Sequence, residues 1–460
     1  MRKPGSLLAT REMVEGWTPT RSASCFSVTG MGGSRLTSFS CLFNIRAIVC
    51  PDQGGSMRKP LSFTCLGLGL LLAACGGSST TPGSAAPITI GVSVSLSGDF
   101  SGDGKALVQG YDLWAQDINK NGGLLGHKVT MKYVDDASST QQVVTNYQTL
   151  ITQDKVALVF GPFSSLLTIP ASTVTDRYGY AFPEPAGGGP KVFTRGLHSI
   201  FFVQPAAVED NLVSYTKWLL SLPSGQKPKT AAYATQDDPF TQPQVDKAKA
   251  LLEAGGVTTA SYKVYPAETT DFTPLALQVV HANADVVILG TQEPDAVAFV
   301  KAFQQQHYNP KSLIETTGPD QGKDFADKVG AGNTEGIMVP AGWTPDAKAY
   351  GNDKFVSEFV AKYGGAPGDI SADAAEAYSV GQVVDQASKK ANSIENKALI
   401  TALHSGTYNT VQGPMSFDSS GKPQGGVGVY IEQWQGGAAK FVYPASVAAA
   451  KPEYPKPNWS

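Results

Sequence analysis

The reactive side chains of this 460-residue chain are scattered where an enzyme would gather them. His127, His198, His281, His307 and His404 lie far apart, with no metal-ligand spacing, no HExxH and no GxSxG. Neither a metal centre nor an activated nucleophile is indicated. The run Gly98-Asp99-Phe100-Ser101-Gly102-Asp103-Gly104-Lys105 looks like a phosphate loop only superficially. Its first glycine comes one place early, Ala106 stands where a hydroxyl should hold magnesium, and two acids would face the phosphates. The reading is of a protein with no catalytic residue, no metal and no cofactor.

Three other stretches carry groups suited to holding a small molecule at the carboxyl ends of strands, where ligands of open α/β sheets bind. After Phe160, Gly161-Pro162-Phe163-Ser164-Ser165 offers hydroxyls and a helix N-terminus to an anion, or simply caps a helix. The run from Pro183 through Ala186, Gly187, Gly188 and Gly189 to Pro190 leaves backbone N–H groups free to clasp a carboxylate, or is a flexible turn. Asp320, after Gly318-Pro319, could counter an ammonium group or be a solvated loop residue.

These stretches follow short β-rich runs that alternate with segments of helical period. Residues 88–95 read as a first strand, and Leu107, Tyr111, Trp114 and Ile118 then mark one face of a helix that Asn121-Gly122-Gly123 ends. A strand near 128–134, a helix carrying Val143, Val144, Tyr147, Leu150 and Ile151, and a strand at 156–160 repeat the pattern. A second series has strands near 200–203, 230–234, 259–264 and 286–289, with helices at 208–220, 245–254, 272–282 and 295–305. A strand at 336–339, helices at 354–363, 372–391 and 397–403, and two strands flanking the glycine-rich 421–428 complete it. The class is α/β, with two doubly wound, Rossmann-like lobes.

The N-terminus reads as an address. From Met57, Arg58 and Lys59 precede an apolar run, 61–72, that is too short to span a bilayer comfortably and ends in Ala73-Ala74-Cys75. Leu72-Ala73-Ala74-Cys75 resembles a lipobox, which makes Cys75 the expected lipidation site and 57–75 a signal peptide. Residues 76–87, rich in Gly, Ser, Thr, Ala and Pro, read as a flexible tether. Residues 1–56 lack periodicity and are expected to be disordered, the product of a start assigned too far upstream. All five cysteines lie at or before Cys75, so packing alone must hold the body together. The stretch to Cys75 holds eight bases and three acids, which leaves the body with a net charge of about −8 and no affinity for nucleic acid.

Several ordered motifs carry a resemblance. They include Leu96-Ser97-Gly98, Asp117-Ile118-Asn119, Val134-Asp135-Asp136, Gly161 to Ser165 with Pro170-Ala171-Ser172, and Thr194-Arg195-Gly196. Thr270-Asp271-Phe272, Gly318-Pro319-Asp320, Glu335-Gly336 and Gly413-Pro414-Met415-Ser416-Phe417-Asp418 follow. From Ile88 to about Trp434 the chain resembles the leucine/isoleucine/valine-binding protein family, the type I periplasmic solute-binding proteins of branched-chain amino acid ABC importers.

The resemblance implies two lobes joined by three crossings, near 203–205, 339–342 and 419–425. Lobe I would be 88–203 with 340–422, lobe II 204–339 with 423–444, and 445–460 a tail. It puts Ser164, Ser165, Ala186 and Gly188 around an amino-acid head group and Asp320 on its ammonium. Phe240, Gln292, Asp103 and Phe100 would lie toward the side chain, with Phe163 beside them. Asp103 and Gln292 replace aromatic residues of the branched-chain binders, and Gly188 replaces a threonine. An uncompensated polar group there would disfavour leucine by about 1–3 kcal/mol.

The implied function is a monomeric, exported lipoprotein on the periplasmic or extracellular side. It would enclose an amino acid or similar small polar solute by hinge closure and hand it to a permease driven by a cytoplasmic ATPase. A ligand sensor of the same fold for amides, urea or small organic acids is the first alternative, and a secreted hydrolase the second.

Overall fold

The computed structural model describes residues 85–424, 428–446 and 448–459. The expected extension 1–56, the signal with Cys75, and all of the tether before Ala85 lie outside the described residues.

β-branched residues at alternate positions make Ala85–Val94 a strand whose Ile90, Val92 and Val94 are fully buried. It runs parallel between His127–Asp135 and Leu158–Phe160. Gly161 N then donates to Pro183 O at 3.0 Å, which carries the sheet on to Phe182–Glu184 and its parallel partner Ile200–Phe202. The second half of the molecule is a seven-stranded sheet in the order Ala438–Tyr443, Tyr430–Gln435, Ile337–Ala341, Ser312–Glu315, Val286–Gly290, Thr230–Gln236, Thr258–Tyr265. Only Tyr430–Gln435 and Ala438–Tyr443 join it antiparallel. The strands Ser312–Glu315 and Ala438–Tyr443 were not among those read from the sequence.

The two halves bury separate cores. One buries residues of 88–203 and 343–417, and the others bury residues of 212–338 and 431–442. Core membership therefore switches between Val203 and Leu212, between Met338 and Trp343, and between Phe417 and Ile431. The helix expected at 208–220 is two pieces, a 3-10 turn Val208–Asp210 and a helix Val213–Ser221. The polar run Glu209-Asp210-Asn211 lies at this first switch, where Glu209 pairs with Lys422 at 2.5 Å and Asp210 pairs with Lys247.

Two close helix contacts fix what faces the second half. Ser101–Lys120 lies against Ala372–Ala391, and a Cβ on Gly110 would come 2.0 Å from Ala374 O. A Cβ on Gly381 would meet the Trp114 ring at 2.1 Å. Only glycine permits that approach, and it sets the N-terminal ends of the two helices, with Asp103, Asp373 and Glu376, side by side.

Several of the quoted motifs are structural. Asp136 accepts from Ser95 Oγ at 2.6 Å and Ser93 Oγ at 3.1 Å, and Asp135 from Leu96 N at 2.9 Å, tying the loop after the first strand to its neighbour. Arg195 donates to Ile169 O at 2.6 Å and Ser172 Oγ at 2.7 Å, beside the missing N–H of Pro170 in helix Ser165–Arg177.

Candidate functional site

A cavity opens where the two halves meet. The first half supplies Phe163, Ser164, Ala186, Phe202, Asp373 and Glu376, and the second Phe240, Gln292, Thr316, Thr317 and Asp320. Gln204, Pro205, Asn211, Pro340, Gly342 and Val429, from the segments where the chain passes between the cores, close its base.

The wall from the first half begins at Ser164, which caps helix Ser165–Arg177 with its hydroxyl accepting from Leu166 N at 3.0 Å. Its φ of 74° with ψ 141° is a conformation usually left to glycine, at a cost of about 1–3 kcal/mol for any other residue. A backbone bridge from Phe163 to Ala186 holds it there. Ser165 is wholly buried one position behind and accepts from Gly189 N at 2.8 Å. Glu184, also wholly buried, takes Gly187 N at 2.5 Å on one oxygen and has no partner for the other. The glycine run thus directs these two N–H groups inward, at Ser165 and Glu184.

The wall from the second half rests on three threonines. Thr316 Oγ1 and Thr317 Oγ1 each donate to Thr291 O at 2.8 Å, locking two strand ends together. Gln292 follows, its backbone N–H on Asp295 Oδ1 at 2.7 Å. Its side chain is 3% exposed, and its Nε2 has no partner within the protein. Asp320 sits in the turn Pro319–Gln321 and accepts from Gly318 N at 2.7 Å. Gly318, at φ 111°, allows that turn, and Trp434 Nε1 pins it by donating to Pro319 O at 3.0 Å.

One side chain spans the gap. Gln321 Nε2 donates to Asp103 Oδ1 and to Asp373 Oδ2, both at 2.7 Å, and its Oε1 accepts from Ser371 Oγ at 3.2 Å. Asp103 and Asp373 belong to the first half, so this amide joins the two halves beside the cavity.

The acids of this region outnumber any counter-charge. Burial, followed by Asp373, pushes the Asp320 carboxyl up to about 7. Burial pushes Asp373 up to about 6 and Glu184 to about 8. Asp103 and Glu376 are held well above the carboxylate range by burial and then by Asp373. Behind Asp320, Glu315 is fully buried with neither carboxyl oxygen partnered.

Of the residues singled out from the sequence, Ser164, Ala186, Phe240, Gln292, Asp320 and Phe163 line the cavity together. Asp103 lies one side chain away, on Gln321. Gly188 faces Phe202, whose ring would stand 2.1 Å from a Cβ there, and Phe202 in turn lines the cavity. Phe100 packs on Phe163 with ring centroids 5.4 Å apart and lines an open groove that reaches the other side of Gln292. Sequence reading missed Phe202, Asn211, Thr316, Thr317, Asp373 and Glu376. The threonine pair follows the unread strand Ser312–Glu315, and the two acids sit on a helix recognised only for its period. Of the histidines, His404 ties two loops, bonding Asp418 O at 3.0 Å and His198 O at 2.8 Å.

The family described as "Periplasmic binding protein" matches residues 87–439. "Leu/Ile/Val-binding protein homolog 7" of Brucella melitensis is 24% identical over 387 residues, covering 81% of this chain and 95% of its own. Among solved structures, a leucine-binding protein LivK of Thermotoga maritima superposes with a TM-score of 0.68 at 16% identity, covering 77% of this chain and 97% of that one. A solute-binding protein of an ABC transporter from R. palustris, in complex with benzoate, gives 0.67 at 18% identity, covering 81% and 98%. These structural likenesses carry the type I periplasmic binding fold.

Proposed function

Because the chain belongs to the periplasmic binding protein family, we propose that it is the solute receptor of an ABC importer, exported, tethered to a membrane through a lipid on Cys75, and not an enzyme. The observation that carries this reading is a cavity to which both halves contribute, with Ser164 and Ala186 on one wall and Asp320 and Gln292 on the other. A guest that touches both walls stabilises the closed arrangement, and the three strands of chain between the cores act as the hinge. The closed form is what the permease receives, and the cytoplasmic ATPase drives transfer. The guest is amino-acid-like: its ammonium meets Asp320, a partly buried carboxylate whose Oδ1 is fixed by Gly318 N.

The named guests of the relatives differ. One relative is named for leucine, isoleucine and valine, and one neighbour holds benzoate, so the solute follows from this chain's own residues. The acids and amides of the cavity argue against a purely aliphatic guest. The test is a thermal-shift screen of the full chain against amino acids, amides, ureas and small organic acids. A receptor shows a rise in melting temperature that grows with ligand concentration for one chemical class. No shift with any class, or turnover of a generic ester, amide or glycoside substrate, would refute the assignment.

A further inference from the structure

Every charged side chain that lines the cavity is an acid: Asp320 from one half, Asp373 and Glu376 from the other. Of the lysines on neighbouring elements, Lys328 is held by Glu293 and Asp324, and Lys354 by Asp117 and Glu358. Among the described residues, no three such side chains converge closely enough to hold a metal ion. The missing charge is therefore that of a molecule, spread over more than one point.

Two further observations define that molecule. The N–H groups of Gly187 and Gly189, the donors that a guest carboxylate would seek in the glycine run, are already bonded to Glu184 and Ser165. The Gln292 Nε2 donor, by contrast, is buried and unpartnered on the cavity wall. An unsatisfied buried donor marks the place of a guest acceptor.

We propose that the guest carries net positive charge: a basic amino-acid-like solute with two separated cationic groups, one on Asp320 and one on Asp373 and Glu376, and an acceptor oxygen on Gln292 Nε2. This rests on the cavity being the solute site. A neutral zwitterion would satisfy Asp320 and leave the opposite wall without a counter-charge, whereas an organic acid would add a fourth carboxylate to three. Because burial holds these acids above the usual carboxylate range, a bound cation draws them into their charged form. Binding then releases protons.

The experiment is calorimetric titration of the full chain at pH 7.5 with lysine, ornithine, norleucine and glutamate, in two buffers of different ionisation enthalpy. Lysine or ornithine should bind at least tenfold more tightly than norleucine, with proton release, and Glu376→Gln should cut that preference about tenfold. Norleucine or glutamate binding best, or a preference below tenfold, overturns the cationic guest while leaving a receptor in place. Binding of none of the four, with no shift in the broader thermal screen, removes the receptor reading as well. A preference untouched by Glu376→Gln overturns the role of that wall, and if this variant does not fold, the ranking by the unaltered protein decides.

Discussion

Replacing Gln321 by Leu should open the molecule. The amide of Gln321 holds Asp103 and Asp373 across the gap with two hydrogen bonds of 2.7 Å, all three residues being less than 10% exposed. A hydrogen bond to a charged carboxylate contributes about 1.5–3 kcal/mol and one to a neutral carboxyl about 0.5–1.5 kcal/mol. The two carboxyls also repel one another, which offsets part of that sum. Taking about 3 kcal/mol for the pair, the ratio of closed to open molecules falls by a factor of about 10² in the variant. Leucine keeps the volume, so the effect is not that of a new cavity.

The body beyond Cys75 has no cysteine, so Thr145→Cys and Lys301→Cys, both on exposed helix positions of opposite halves, accept a pair of spin labels cleanly. Distances measured with and without Gln321→Leu should shift from a single short population to a longer, broader one. The affinity for any guest that binds the closed form should fall by the same factor. Gln321→Glu adds a pH signature: a neutral carboxyl can still donate one bond near pH 5, whereas its ionisation at higher pH sets a negative charge against Asp373. An unchanged distance distribution together with an unchanged affinity would refute the reasoning, because the bridge would then contribute nothing to closure.

Two further outcomes follow from the same geometry. Asp320, Asp373 and Glu184, pushed up to about 7, 6 and 8, keep protons in the native state that the unfolded chain has already released. The ligand-free protein therefore loses stability as pH rises from the ordinary carboxyl range near 4 through these values, and scanning calorimetry should find a melting temperature several degrees lower at pH 8 than at pH 5. A flat or rising profile would mean that these carboxyls meet a cation within the native protein. At Gly188 a methyl group would stand 2.1 Å from the ring of Phe202, which lines the cavity. Gly188→Ala should cost about 1–3 kcal/mol in denaturant unfolding and weaken ligand binding, and a variant equal to the parent in both would show that Phe202 is not wedged there.

The elements and the site were legible to different degrees, for physical reasons. Helix Ser101–Lys120 could be read because Leu107, Tyr111, Trp114 and Ile118 repeat at helical spacing, and all four are buried. Strand Ser312–Glu315 escaped because four residues are too few to show alternation, and its Glu315 is a buried acid that no propensity argument expects inside. Among site residues, Ser164 and Asp320 announced themselves by following glycine and proline at strand ends. The positive φ of Ser164 carried no such sign, since it is imposed by the bridge between Phe163 and Ala186 rather than by residue type.

Asp373 and Glu376 were invisible for a more general reason. In Ala372–Ala391 two acids near an N-terminus read as ordinary partners of the helix dipole, facing water. What removes them from water is Gly110, more than 260 residues earlier, letting one helix sink onto the backbone of another, and the arrival of Gln321 from the opposite half. Their meaning as a charge belongs to the closed arrangement of two halves and to no local stretch of chain. A periodic pattern reports what each element buries for its own sake; the charge left unanswered between two closed walls reports what a third party must bring, and only the assembled cavity states it.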